Sequence, residues 1–159
     1  MAFLLHFAFI REKIVFEKLF AAFRLSHSQR EEIRREINLF DAIQAHTAWK
    51  KRLMDYLEGN STEDLQPYNI GVDNRCELGK WIHSSGKARF GEQPLFQQLV
   101  EEHAKFHYHA SKVVEAHQAG NTALANKILT DSFAEQSRNT VNCLAKLNAV
   151  VEGTQQPTE

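Results

Sequence analysis

Apolar residues recur at intervals of three and four along most of this chain, and in two stretches histidine takes a place inside the apolar stripe. Leu39, Ile43, His46, Trp49, Leu53 and Leu57 share one face of a helix. Ser28 with Glu31 three residues on is a capping-box pattern that opens this stretch, and Gly59 closes it. Phe96, Leu99, Val100, His103, His107, Ala110 and Val114 do the same along a helix that starts near Pro94 and runs to about His117, before Gly120. Asn121 caps a last helix continuing to about Val151, with Leu124, Ile128, Phe133, Leu144 and Leu147 on its stripe. Seven Gly, three Pro and no run of period two leave strands without support. The expected fold is therefore all-α: an antiparallel four-helix bundle with a short helix in the loop between its first two long helices, plus an extra N-terminal amphipathic helix.

That extra helix is read from Phe3, Phe7, Ile10 and Ile14, which keep helical spacing among charges of both signs. The organisation this implies is an amphipathic segment over 1–27, the bundle over 28–152 and a polar tail over 153–159. The apolar run Met1 to Ile10 falls short of the roughly 20 residues that span a bilayer, and no basic stretch or cleavage site makes it a secretory signal. No transmembrane segment is expected, and the expected location is cytoplasmic. Nineteen Lys and Arg against twenty Asp and Glu give a net charge of -1, so nucleic acid is not an expected partner. Cys76 and Cys143 cannot build a disulfide framework. Cys143, beside Leu144 and Leu147, reads as a packing residue, which leaves Cys76 for chemistry.

His103-Ala-Lys-Phe-His107 sets two imidazoles one turn apart, about 6 Å of rise, on the inward side of one helix. Buried imidazoles without partners are costly, and this favours a metal grip over accidental spacing. His46 is a third histidine on an inward face and, taken alone, reads better as a satisfied core histidine. Cys76 follows a polar loop over 60–75, interrupted by Pro67 and Gly71 and holding one short helical turn. It opens Cys76-Glu77-Leu78-Gly79-Lys80-Trp81, where a short helix over Leu78 to His83, stopped by Ser84, Ser85 and Gly86, favours its thiolate through the helix dipole. Leu78 and Trp81 are spaced to anchor that helix, and Gly79 admits a neighbouring backbone. Three imidazoles and one thiolate fill a tetrahedral shell, the preference of zinc, with no position left for water.

His46-Thr-Ala-Trp49, Cys76-Glu-Leu78-Gly79-Lys-Trp81 and His103-Ala-Lys-Phe-His107, in this order and with these gaps, resemble the chemoreceptor zinc-binding domain family. The resemblance covers roughly Asn38 to Val151. It implies a four-helix bundle with zinc held by His46, Cys76, His103 and His107. It also implies a homodimer that senses zinc or an oxidant such as hypochlorous acid in the cytosol and acts in chemotaxis or cyclic-di-GMP signalling. Such domains are usually fused to an output region, which this length does not hold, so output is expected through a signalling partner or a domain outside this sequence.

Two other helical readings stand beside this one. A hemerythrin-like di-iron bundle also uses inward histidines but needs bridging carboxylates, and Glu101 and Glu102 are not aimed inwards by the periodicity. A plain helical interaction module would carry its histidines incidentally. Hydrolysis is disfavoured, since Ala104 stands where zinc proteases place a general-base Glu. Among the remaining histidines, His83 lies near the loop helix and reads as a surface residue or as one orienting a ligand. His109 faces water, and His117 lies at the far end of the stripe. Asp73 and Glu77 flank Cys76 and are expected to tune its thiolate.

Overall fold

The computed structural model describes residues 25–154. The expected amphipathic segment falls outside them up to residue 24, as does the tail from residue 155. Every regular element among the described residues is helical. Ser26 caps α1 (His27–Glu36), not Ser28: its hydroxyl accepts from the Gln29 N–H and Gln29 reaches back to the Ser26 N–H, while Glu31 pairs with Arg34 instead. The stretch expected to run unbroken to Leu57 breaks at Ile37, which is extended at φ -148° and ψ 137°. Asn38 then accepts from the Asp41 N–H and caps α2 (Leu39–Leu57), because a short amide side chain offers the backbone an alternative to continuing the helix.

The loop after α2 holds one short helical turn, as expected: α3 (Pro67–Gly71), with Pro67 at its start and Gly71 at its end. Cys76 caps α4 (Glu77–Trp81), and the chain continues through a π turn at Ile82–Gly86 into α5 (Lys87–Phe90). The expected stop at Ser84 is a kink: this residue leaves helical geometry at φ -121° and ψ -109°, and its hydroxyl donates to the Lys80 carbonyl. Pro94 opens α6 (Pro94–Gln118), as its fixed φ predicts. Asn121 caps α7 (Thr122–Ile128), and a second π turn, Leu129–Phe133, joins it to α8 (Ala134–Glu152). The inserted residue shifts the buried face, so Leu124 is exposed while Ala125, Leu129 and Phe133 are buried.

The helices α2, α6 and α8 pack against one another, with α1 on α8, α3 and α7 on α6, and α4 on α2. Two apolar cores result. One gathers Leu39, Ala42, Leu78, Trp81, Phe96, Leu99, Cys143, Leu144 and Leu147. The other gathers Leu53, Ile70, Phe106, Ala110, Val114, Leu129 and Phe133. Reading along α2 from Ala42 to Leu53, and along α6 from Leu99 to Ala110, the histidines fall where one core gives way to the other. No helix among the described residues is long and apolar enough to cross a membrane.

Candidate metal centre

Helix α2 brings His46 to the junction and α6 brings His103 and His107, one turn apart, all three buried. Cys76 arrives from the other side at the cap of α4, half-buried, its sulfur accepting from the Gly79 N–H at 3.2 Å. One donor atom from each of the four lies within 4.8 Å of every other. The Cys76 sulfur is 3.3 Å from His103 Nε2, and the ring centres of His103 lie 4.6 Å from His107 and 5.1 Å from His46. A tetrahedral ion with bonds of about 2.0–2.3 Å wants donors roughly 3.3–3.8 Å apart, so a small contraction closes the shell.

The outer edges of the rings decide which nitrogens point inward. His46 Nδ1 donates to the Ala42 carbonyl one turn back, and His107 Nδ1 donates to the Ile70 carbonyl at the end of α3, each at 2.7 Å. These bonds place the proton on Nδ1 and leave Nε2 as a lone pair. In both residues Nε2 is buried with no hydrogen-bond partner. Orphaned acceptors of this kind are rare in folded proteins and fit a cation as their partner.

Burial holds all three imidazoles below their ordinary range, His46 at about 4 and His103 at about 2, with the neighbouring histidines adding to the depression. His107 shifts the same way through burial, against the Ile70 carbonyl and Asp73. Neutral rings are what a metal ligand requires. The Cys76 thiol corrects the sequence expectation: burial outweighs the N–H groups of Leu78 and Gly79 and pushes it up, not down. A helix of five residues gives too little field to overcome desolvation. The thiolate at this position therefore needs a cation beside it.

Asp73 lies beside His103 as well as near Cys76, its Oδ2 3.8 Å from His103 Nδ1 and 2.9 Å from His83 Nε2. Glu77 pairs with Lys80 at the surface. The carboxylates a di-iron centre would need are engaged elsewhere, Glu101 with Lys105 and Glu102 with Gln136. His109 is partly exposed, and His117 packs against Tyr56 with ring centres 5.2 Å apart. Cys143 is buried in the first core, its thiol pushed up to about 11 by burial. The carbonyls of Ala42 and Ile70 carried no signal in the sequence, since any residue supplies one. Asp73 carried a weak one, because a buried ligand histidine needs an acceptor behind it.

Among the described residues, an all-helical arrangement with a His/Cys/His/His cluster whose three histidines are buried fits a zinc-binding domain. Residues 46–114 match the family model of the chemoreceptor zinc-binding domain. Neither a curated protein nor a solved structure matches the chain.

Proposed function

We propose that the chain is a cytoplasmic regulatory domain, not an enzyme, in which His46, Cys76, His103 and His107 together hold one zinc ion. The observation that carries this reading is the pair of buried, partnerless Nε2 atoms on His46 and His107, facing the Cys76 sulfur and His103. Bound zinc supplies a positive charge and a demand for four tetrahedral donors, which a full protein shell leaves without a position for water. The residues do the rest. His46 ties α2 to α6 through His103 and His107, and Cys76 clips the segment between α3 and α5 over both. Helix arrangement thus depends on all four side chains being engaged, and we take 28–152 to be an antiparallel four-helix bundle, with 1–27 an extra amphipathic helix beside it.

Cys76 is the one donor borne by a loop, so it is the first to leave. Hypochlorous acid would transfer its oxygen to the thiolate, with chloride departing, and the resulting sulfenic acid is a poor ligand. Loss of that clip changes how the surface is presented to a signalling partner in chemotaxis or cyclic-di-GMP control, through a homodimer. Elemental analysis of purified wild type, Cys76→Ala and His103→Ala tests the site. The expected result is about one zinc per chain in wild type and sharply reduced retention in both variants. Little metal in wild type, or zinc unaffected by either substitution, would leave a plain helical interaction module as the reading.

A further inference from the structure

We propose that Asp73 is the positioning residue for His103, and that His83 holds the Asp73 carboxylate from the solvent side. The inference rests on the zinc reading above and deepens it. Each ligand histidine must present one nitrogen to the ion, which requires something to fix the other. For His46 and His107 that something is a backbone carbonyl at 2.7 Å, which no side-chain change removes. His103 is different. Its Nδ1 is buried without a hydrogen-bond partner, and Asp73 Oδ2 lies 3.8 Å from it. A shift of roughly 0.6–1 Å brings this pair into hydrogen-bond range. The opposite edge of the ring carries Nε2, 3.3 Å from the Cys76 sulfur. Asp73 thus sits behind the ligand and is not itself a donor to the ion.

Asp73 is held at both ends. Its Oδ2 lies 2.9 Å from His83 Nε2, which is positioned by the π turn after α4. Its carbonyl presses on Gly79 so closely that a Cβ there would stand 1.8 Å from the oxygen, an approach only glycine admits. The same glycine donates its N–H to the Cys76 sulfur. One short segment, 73–76, therefore supplies the thiolate and also orients an imidazole that belongs to α6. If the segment lifts, the site loses a donor and the anchor of a second donor in one motion.

The test uses the full chain, with zinc affinity measured by competition against a chromophoric chelator and imidazole tautomers read from long-range proton–nitrogen spectra of the zinc-free protein. Asp73→Ala is expected to weaken zinc binding about 10- to 100-fold, the range for a lost partner behind a ligand. Asp73→Asn, whose amide oxygen still accepts from Nδ1–H, is expected to recover much of it, and His83→Ala to lose less than about 10-fold. In the spectra, His103 should hold its proton on Nδ1 in wild type and Asp73→Asn and become mixed in Asp73→Ala, with His46 and His107 unmoved. Affinity within twofold of wild type in Asp73→Ala, or an unchanged His103 tautomer, would overturn the inference. So would equal disturbance of all three histidines, which marks a general packing role. If wild type itself takes up no zinc, the metal reading falls, and the tautomers still decide the role of Asp73.

Discussion

Leu99 and His103 lie one turn apart on α6, and each is 0% exposed, yet burial does opposite things to them. Leu99 joins Phe96, Leu144 and Leu147 in a core whose every contact is gained when the chain folds. His103 joins His46 and His107 in a layer that gives up water at Nε2 of His46 and His107 and Nδ1 of His103 and receives no protein partner for them. Apolar packing above and below holds this layer in place, and the layer repays nothing until a cation arrives. The difference teaches where the proposed zinc site would make stability depend on metal: in one polar stratum between two apolar cores.

The comparison breaks first if the two strata are not independent. Phe133→Ala removes a fully buried ring from the second core and is expected to cost about 3–5 kcal/mol, equally with zinc and with chelator, by urea denaturation. A loss that differs between the two conditions would mean that the core and the layer share their energy. Acid should act on the layer instead. Burial holds His46 at about 4 and His103 at about 2, below the ordinary 6.5, so the unfolded chain takes up protons first as pH falls. Zinc-free protein is therefore expected to lose about 2 kcal/mol for each of these two histidines between pH 6.5 and pH 5, and nothing from them above 6.5. Denaturation midpoints at several pH values check it, and a midpoint that rises on acidification would contradict it. The smallest effect sharpens the contrast: His46→Leu, an apolar side chain placed beside Phe106, should raise zinc-free stability by about 1–3 kcal/mol while abolishing stabilisation by zinc.

The histidine layer was legible in the sequence because helix periodicity is a strong signal and His46, His103 and His107 sit on it without interruption. Pro94 and Asn121 likewise announced their helix starts through local chemistry that tertiary contacts do not override. The break at Ile37 was missed because Asn38 lies within an otherwise periodic run, and two plausible caps, Ser26 and Ser28, stand two residues apart. The π turn at Leu129–Phe133 was missed because one extra residue changes no composition, only the face, which moved Leu124 out to solvent. The approach of Asp73 to His103 joins a loop to a helix thirty residues on, and sequence reading placed Asp73 with its neighbour Cys76 instead. The rise of the Cys76 thiol was also hidden, since the cap position was visible and the depth of burial was not.

Equilibrium urea denaturation of the wild-type chain, with free zinc buffered far above its Kd and again with excess chelator, tests the dependence on metal most directly. At a thousand-fold excess over Kd, zinc is expected to add about 4 kcal/mol to unfolding, with the two His46→Leu curves superimposed. Superimposed wild-type curves would contradict the account, for the buried imidazoles would then have no cation to answer them.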